Sequence, residues 1–293
     1  MNWDDIRVFL AVARAGQILG AARRLDLNHA TVSRRIAALE QAIGAKLFRR
    51  LTTGTELTRA GGRLLVVAER MEADMISARA EIADEATKVA GTVRISAPDG
   101  FGVAFLAPRL WRLSMAHPEL TLQLVPVPRS FSLSRREADI AITVDRPTEG
   151  RLIASKLVDY SLKLYASKSY ATVHGLPEDA AGLSRHRLVG YVPDLVISPS
   201  LDYADEVSQS WSAAFSVSAA MGQVEAVRAG AGIGILHTFI ARSYDDLLPV
   251  PFARPIRRSY WLVYHESMRP TRRIQAAAAF IGDLVEKEKS IFL

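Results

Sequence analysis

Apolar residues at the start of the chain recur at the spacing of one helix face, at Trp3, Ile6, Phe9, Leu10 and Ala13. This pattern predicts a helix over residues 3–15. A shorter helix is predicted over 18–25 and a third over 29–42, with a turn at 26–28 between them. Two helices joined by a tight turn are typical of a helix-turn-helix, whose second helix enters the DNA major groove.

The residues around this turn meet the packing demands of that motif. Small or apolar side chains stand where the helices cross and where the last helix is buried, at Ala22, Leu25, Leu27, Val32 and Ile36. Asn28 can cap the last helix, because its side-chain oxygen can accept a bond from an unpaired N–H of the first turn.

The opposite face of the last helix carries polar side chains near its N-terminus, at His29, Thr31, Ser33, Arg34 and Arg35. We expect these residues, with Asn28, to form a DNA site. Base readout is assigned to His29, Ser33 and Arg34. Contact with the DNA backbone is assigned to Thr31 and Arg35.

Two short β-prone runs follow over residues 45–57, around Thr53 and Gly54. They predict a hairpin wing whose Lys46, Arg49 and Arg50 are available to phosphates. The alternative is a three-helix bundle with a hairpin that has no part in binding.

A long helix is predicted from its cap, Thr58, to about Ala90. Its apolar positions follow a four-three spacing at Leu64, Ala68, Met71, Met75, Ala78, Ile82 and Val89. Such a stripe fits a partner helix from a second subunit, and the alternative is that it packs on its own chain. Gly91 ends the pattern.

From residue 92 onward, strand-like runs at 92–96, 120–127, 139–144 and 162–167 alternate with helical stretches, of which 105–118 is the clearest. Such alternation predicts an α/β fold with mostly parallel sheets, in which ligands lie beyond the carboxyl ends of strands. The candidate loops are 96–101, 128–132, 143–145 and 216–221. They supply the candidate ligand-binding residues Ser96, Pro98, Asp99, Phe101, Arg129, Ser130, Thr143 and Ser218.

The length of 293 residues favours two or more domains over a single large one. The chain has no cysteine, which excludes disulfides, thiolate metal sites and cysteine nucleophiles. The first residues lack a signal-type apolar core, and no apolar run reaches the roughly 18 residues that a membrane span needs. We therefore expect a cytoplasmic protein without a membrane partner.

The net charge of +6 is concentrated at the N-terminus. Residues 1–60 hold ten Lys and Arg against five Asp and Glu, and the rest of the chain holds 27 against 26. A basic excess confined to one end is expected if that end meets phosphate. Because basic surfaces are common, this excess supports DNA binding only together with the helix-turn-helix.

The N-terminal region resembles the DNA-binding region of LysR-type transcriptional regulators in six segments: FLAVA (9–13), AARRL (21–25), TVSRRIAALE (31–40), GAKLF (44–48), LT (57–58) and AG (60–61). The resemblance continues through Pro98, His117-Pro118, 138–142, Ala166-Ser167, Tyr170 and 230–234, so it covers nearly the whole chain.

The resemblance implies a multidomain protein. Its parts would be an N-terminal winged helix-turn-helix, mainly α, at 1–57, a long dimerisation helix at 58–90 and a C-terminal α/β effector-binding domain at 91–293. The last part would be periplasmic-binding-protein-like, with two Rossmann-like subdomains, I at 91–161 and 265–293 and II at 162–264. Two crossover strands would join the subdomains near Ser161 and Tyr264, with an effector in the cleft between them.

The implied partners are double-stranded promoter DNA, a second copy or three further copies of the chain, RNA polymerase and a small-molecule effector. We expect no cofactor, metal site or catalytic residue. Three departures from the family stand in the helix-turn-helix: Gln17 replaces a capping serine, Gly20 weakens its helix by about 1 kcal/mol relative to alanine, and His29-Ala30 replaces a frequent Gln-Pro pair.

Asp99 is the departure that bears on the ligand, because it stands in a loop where the family often has a hydroxyl. A carboxylate there would repel an anionic effector unless Arg129 or another cation offset it. We expect an effector that is neutral, cationic or bound through Asp99 as an acceptor. The alternative is that Asp99 only caps the following helix.

Two other functions fit the sequence less well. The glycines at 230–234 are similar to a dinucleotide fingerprint, but that fingerprint needs a strand before it and a helix after it. Here a helix is predicted before the glycines and a strand after them, so Gly230 is expected to be a helix C-cap and an enzyme is disfavoured. A solute-binding protein would share the C-terminal fold, but the basic N-terminal region argues against it.

Overall fold

The computed structural model describes residues 2–51, 54–82, 89–127, 138–148, 150–196, 198–208 and 211–293. The chain divides into an N-terminal unit, residues 1–85, and a C-terminal unit, residues 86–293. Each unit has its own hydrophobic core.

The N-terminal unit consists of α1 (Trp3–Ala15), α2 (Ile18–Leu25), α3 (His29–Ile43), β1 (Phe48–Leu51), β2 (Gly54–Leu57) and α4 (Arg59–Ile82). β1 and β2 form the antiparallel hairpin that the sequence predicts. Asn28 caps α3 as expected, since its Oδ1 accepts from the N–H of Thr31 at 2.7 Å. Gln17 makes no side-chain cap bond to α2, in line with its departure from serine.

The hairpin is tied to the helices on both sides. The N–H of Thr55 donates to the carbonyl of Gly16 at 2.8 Å, and the N–H of Thr58 donates to that of Leu47 at 2.9 Å. A Cβ at Gly61 would lie 2.1 Å from the Leu47 carbonyl oxygen, so only glycine allows α4 to begin this close to β1. The hairpin is therefore part of a packed unit.

The long helix α4 packs on its own chain and also leaves an apolar face exposed, so it fits both alternatives for its apolar stripe. Its first turns pack on the same chain, because Ala68 is fully buried and Leu64 joins the N-terminal core. Arg14 on α1 also donates two bonds to the Glu72 carboxylate, at 3.2 and 2.5 Å. A second apolar face stays exposed at Val66, Val67, Met71 and Met75.

The prediction that this helix reaches Ala90 is wrong. Residues 83–88 and the side chains of Ala78 and Ile82 lie outside the described part, but Val89 and Ala90 are described and are not helical. Val89 instead packs against the core of the C-terminal unit. Val89 therefore matches the four-three spacing without belonging to the helix.

The C-terminal unit alternates strands and helices. In chain order it contains β3 (Gly91–Pro98), α5 (Asp99–Phe101), a π-helical turn (Gly102–Leu106), α6 (Ala107–Ala116), β4 (Leu120–Val127), β5 (Ile140–Thr143), β6 (Leu152–Ser167), α7 (Lys168–His174), β7 (Leu188–Gly190), α8 (Ala204–Val207), β8 (Phe215–Ser216), α9 (Ala220–Arg228), β9 (Ile233–His237), α10 (Thr238–Ala241), β10 (Leu247–Pro249), β11 (Ile256–His265) and α11 (Arg272–Lys287). Short 3₁₀ turns lie at Ala181–Arg185, Pro193–Leu195, Pro199–Leu201, Glu266–Met268 and Lys289–Phe292.

These strands form one sheet in the order β4-β3-β5-β11-β6-β9-β7-β8, with β10 also paired to β6. β3 runs parallel to β4 and β5, and β7 runs parallel to β8 and β9. The long antiparallel pair of β6 and β11 joins these two parallel groups. We call the β3–β5 side the first half and the β7–β9 side the second half.

The two crossings differ in how well they were predicted. β6 begins to pair with β9 at Leu162, which agrees with the expected crossing near Ser161. β11 already pairs with β5 at Trp261, just after a register shift, so its crossing lies before the expected position near Tyr264. β6 also begins at Leu152, ten residues before the predicted strand, because the pairing with β11 organises a stretch that lacks a clear strand pattern.

An aromatic cluster lies beneath the start of α5. Phe101 is fully buried, with ring centroids 5.1 Å from Phe105, 4.6 Å from Tyr260 and 6.0 Å from Phe292. The expectation that Phe101 contacts a ligand is therefore wrong, because its ring fills the core.

We expect Phe101→Ala to lower the free energy of unfolding by about 3–5 kcal/mol, because it leaves a cavity among three aromatic rings. Chemical denaturation followed by circular dichroism measures this loss. Trp111→Ala is the matched control, since Trp111 is 58% exposed on α6 and its loss should cost much less. Equal losses in the two variants would contradict the burial of Phe101.

Candidate DNA interface and ligand cavity

The helix-turn-helix is built from α2, the turn at 26–28 and α3. Asp26 adopts a left-handed conformation with φ 54°, and the N–H of Leu27 donates to the Ala22 carbonyl at 3.0 Å. Val32, Ile36 and Leu39 of α3 are buried against the other helices. The opposite face of α3 is therefore free to meet a partner.

The exposed face holds only part of the predicted DNA site. Asn28, His29 and Arg34 are exposed, and Thr31 is half-buried. The Ser33 hydroxyl is buried and makes no hydrogen bond within the described residues. The prediction that Ser33 reads a base is therefore wrong. Neighbouring residues of a helix point in different directions, so the Ser33 hydroxyl is buried although Arg34 is exposed.

The basic side chains fall into two groups. Arg35 lies 3.4 Å from Asp4 and 3.7 Å from Asp5. Lys46 pairs with Glu40 at 2.6 Å and Arg49 with Glu56 at 2.5 Å. Arg34 forms no ion pair within the part of the chain that the structure describes. The Arg50 side chain lies outside that part.

Two further cations were overlooked in the sequence. Arg23 and Arg24 are exposed on α2, the first helix of the motif. The sequence signals for them are the basic excess of residues 1–60 and the segment AARRL (21–25) of the family resemblance. Their exposure makes them additional candidates for phosphate contact.

Glu40 is the acidic residue that positions the wing. Its Oε1 accepts from the N–H of Leu47 at 2.9 Å and of Phe48 at 3.3 Å, while Oε2 accepts from Lys46. Burial raises the pKa of Glu40, but these hydrogen bonds and the charge of Lys46 outweigh it and hold the pKa below its ordinary value. The ionised carboxylate therefore fixes the start of β1.

A cavity of about 270 Å³ lies between the two halves of the C-terminal unit. The first half contributes residues 96–100, 141–145 and Pro147. The second half contributes Tyr191, Leu195, Val196, Ser198, Leu201, Ala220 and His237, and β11 contributes Tyr260. We call this space the cleft cavity.

The structure brings together four of the eight predicted ligand residues: Ser96, Pro98, Asp99 and Thr143 line the cleft cavity. Ser218 does not line it, and Phe101 lies in the core. Arg129 and Ser130 lie outside the described residues. The expectation that ligands lie beyond the carboxyl ends of strands thus located the cavity. It overestimated how many of the loop residues reach it.

Asp99 joins the two halves across the cleft cavity. Its Oδ2 accepts from the N–H of Met221 at 3.0 Å, at the first turn of α9, while the N-cap residue Ala219 supplies no side-chain bond. A carboxylate is favourable there because the N-terminus of a helix carries partial positive charge. The alternative that Asp99 caps its own helix is wrong, since it caps α9 of the other half.

Asp145 makes a second connection of this kind. Its carboxylate accepts from the hydroxyls of Ser198 and Ser200, the latter at 2.5 Å. The Ser200 carbonyl in turn accepts from Nε of Arg258 on β11 at 3.0 Å. Both carboxylates of the cavity therefore receive hydrogen bonds from the second half.

Aromatic side chains at the crossing strands complete the wall. Tyr160 and Tyr260 stack with centroids 4.1 Å apart, and Tyr160 also stacks on His237 at 5.3 Å. The two phenols adjoin each other, yet the hydroxyl of fully buried Tyr260 makes no well-formed hydrogen bond among the described residues. Tyr260 therefore contributes a buried aromatic ring to the cavity wall.

His237 and Tyr191 are uncharged parts of the same wall. Burial lowers the pKa of His237 to about 4, so the imidazole is neutral near pH 7. Burial, followed by the charge of Asp99, raises the pKa of Tyr191 above its ordinary value. His237 ends strand β9, so its position at a strand end could have located it. Asp145 lies in the predicted loop 143–145, although only Thr143 of that loop was chosen as a ligand residue. Tyr191 and Tyr260 gave no comparable signal.

The glycines that resemble a nucleotide fingerprint have a structural role. Gly230 follows α9 at φ 83°, and its N–H donates to the Val227 carbonyl at 3.0 Å, as predicted for a C-cap. β9 begins at Ile233, within this glycine segment and after α9, which is the reverse of the order a dinucleotide site needs. Within the described ranges, no group of three His, Asp or Glu side chains is arranged to hold a metal ion.

Family models agree with this architecture. Residues 3–62 match the bacterial regulatory helix-turn-helix protein model of the lysR family, and residues 86–286 match the LysR substrate binding domain. The chain belongs to the LysR family. The predicted multidomain fold, with a helix-turn-helix and an α/β effector-binding domain, is thereby confirmed. Membership in a family of regulatory proteins also decides against the enzyme.

Two relatives of this LysR-family protein are named as HTH-type transcriptional regulators. It is 33% identical over 181 residues to the HTH-type transcriptional regulator DmlR of Escherichia coli, covering 62% of this chain and 59% of DmlR. It is 28% identical over 190 residues to the regulator CrgA of Neisseria meningitidis, covering 65% of this chain and 64% of CrgA. These matches span about six tenths of the relatives' length.

A solved structure of CrgA from Neisseria meningitidis is similar in fold, with a TM-score of 0.60 at 23% identity over 97% of this chain and 98% of that one. In the described ranges of the LysR-family protein, no helix combines the length and apolar character needed to cross a membrane.

We expect Glu40→Gln to lower the free energy of unfolding by about 1–2 kcal/mol near pH 7. Because folding lowers the pKa of Glu40, its contribution is complete above the ordinary value of 4.5 and is lost as the pH falls through the lower folded value. The difference between the variant and the parent should therefore shrink below about pH 4.5. Chemical denaturation across the pH range measures it.

Glu56→Gln is the control for this prediction, because Glu56 is an exposed partner of Arg49 and should contribute about 0.5 kcal/mol or less. A Glu40→Gln difference that stays constant from neutral to acidic pH would show that the ionised carboxylate does not hold the wing.

Proposed function

We propose that this LysR-family protein is a transcriptional regulator that binds promoter DNA as an oligomer and responds to a small molecule in the cleft cavity. The observation that carries the proposal is Arg34 on α3 of the helix-turn-helix, which is exposed and forms no ion pair with any described residue. The C-terminal fold supports the ligand response, since two halves joined by crossing strands enclose a cavity.

On DNA, the N-terminal part of α3 would enter the major groove. Arg34 is suited to read a guanine through two parallel hydrogen bonds, with His29 as a second base contact. The DNA backbone would be bound by Thr31, Arg35, Lys46, Arg49 and Arg50. Asn28 would support the site by keeping the first turn of α3 in place.

The exposed apolar face of α4 supports oligomerisation. Val67, Met71 and Met75 are spaced four residues apart, so they form one stripe on a helix. Pairing two such stripes would remove apolar surface from water. A homodimer built in this way, or a pair of dimers, would place two α3 helices on a pseudo-palindromic site.

The ligand would act by changing how the two halves meet. Because Asp99 and Asp145 connect the halves through hydrogen bonds, a molecule that contacts them differently in open and closed forms would shift that equilibrium. We propose that this shift alters subunit geometry and DNA bending, and with them the contact with RNA polymerase.

We expect Arg34→Ala to weaken binding to the operator by roughly ten- to a hundredfold, the loss of a bidentate base contact of about 1–3 kcal/mol. The operator would be selected from random duplexes, and affinity measured by gel retardation. Binding should also weaken steeply with salt, because phosphate contacts release counterions.

Arg185→Ala removes the same charge from an exposed position in the C-terminal unit and should leave affinity unchanged. Full operator affinity in Arg34→Ala, with a parent protein that binds, would remove Arg34 from the interface. If the parent protein selects no DNA sequence, the proposal that it is a transcriptional regulator is contradicted.

We expect Val67→Glu to weaken self-association at least tenfold, because it places a charge in the apolar stripe of α4. Light scattering during gel filtration measures the mass as concentration is lowered. Val173→Glu makes the same change at a valine that is 75% exposed on α7 and serves as the control. An unchanged association constant in Val67→Glu would place the subunit contact elsewhere.

A further inference from the structure

The charge of the cleft cavity is one-sided. Among the described residues that line it, Asp99 and Asp145 are the charged side chains, and no lysine or arginine is present. Asp99 is only 8% exposed, so its carboxylate is largely removed from water. Burying an anion without a cation nearby is costly, because hydration is lost and no opposite charge replaces it.

The hydrogen bonds to these carboxylates do not neutralise them. Asp99 accepts from a backbone N–H, and Asp145 accepts from two serine hydroxyls. All three donors are uncharged groups, although the N-terminus of α9 adds partial positive charge. The wall therefore has negative charge left to attract a ligand.

The arginines beside the cavity are engaged elsewhere. Arg146 follows Asp145 but lies over the Trp261 ring, 5.6 Å from its centroid. Arg258 donates to the Ser200 carbonyl and pairs with Glu206. Neither side chain lines the cavity in the described structure.

The rest of the wall is suited to a ligand with an apolar body and a polar end. Tyr260 lines the cavity, and its fully buried ring stacks on Tyr160 with centroids 4.1 Å apart. Tyr191 and neutral His237 lie on the same wall. Aromatic faces attract cations, so these rings favour a positively charged ligand.

We propose that the cleft cavity binds a small organic cation, an ammonium or guanidinium compound, through the carboxylates of Asp99 and Asp145. The inference rests on the proposed ligand response of this cavity and names the chemical class that it recognises. A carboxylate ligand would meet two like charges, and a neutral one would leave both uncompensated.

The experiment measures binding to the full-length protein by calorimetry with three probes of nearly equal size: benzylamine, benzyl alcohol and benzoate. We expect benzylamine, a cation near neutral pH, to bind at least tenfold more tightly than the other two. Binding of benzoate or benzyl alcohol that equals or exceeds that of benzylamine overturns the proposal. So does the absence of measurable binding by benzylamine.

Asp99→Asn and Asp145→Asn test where the cation is held. Asparagine keeps an oxygen that accepts the bonds from Met221 or from the serines, so each variant removes charge with little change in shape. Each should weaken benzylamine at least fivefold and leave benzyl alcohol unchanged. Asp245→Asn, at an exposed position of the same unit, is the control and should change neither. Unchanged benzylamine affinity in both cavity variants overturns the assignment.

Operator retardation with the same proteins separates this inference from the proposed function. A parent that binds operator but shows no preference for the cation contradicts only the ligand class. A parent that binds benzylamine through Asp99 and Asp145 but binds no DNA contradicts the regulator and leaves the cation site intact.

Discussion

The antiparallel pairing of β6 with β11 is the constraint on which the C-terminal unit depends. The register runs from Leu152 opposite His265 to Leu162 opposite Ile256, so it joins segments about one hundred residues apart in the chain. Each parallel group of strands can bond to this ribbon on one side only. The pairing thereby fixes both halves, and it brings Tyr160 and Tyr260 together at the wall of the cavity between them.

Features that depend on a few neighbouring residues could be predicted from the sequence. The cap at Asn28, the turn before it and the hairpin wing follow from side chains within three or four positions. The C-cap at Gly230 belongs to the same class, because glycine is the residue that most readily adopts a positive φ after a helix. The location of the cavity was also predictable, since strand ends in an α/β sheet converge by topology.

The remaining features depend on partners that are distant in sequence. Asp99 caps a helix that begins more than one hundred residues later, and no local pattern distinguishes this from capping its own helix. Phe101 ends the candidate loop 96–101 but is held in the core by rings from three other segments. Ser33 shows the limit within a helix, because a hydroxyl at the border of two faces is exposed or buried according to neighbouring elements.

The ion pairs of the N-terminal basic residues determine how easily these residues could bind phosphate. Arg35 and Arg49 are engaged with acids at the surface, and such exposed pairs contribute little, about 0–1 kcal/mol each, so phosphates can replace the acids at small cost. Lys46 differs because its partner Glu40 is buried. When Lys46 turns to a phosphate, Glu40 still accepts from two backbone N–H groups of the wing. The backbone of the wing can therefore stay in place if its cations turn to phosphates, as the proposed DNA interface requires.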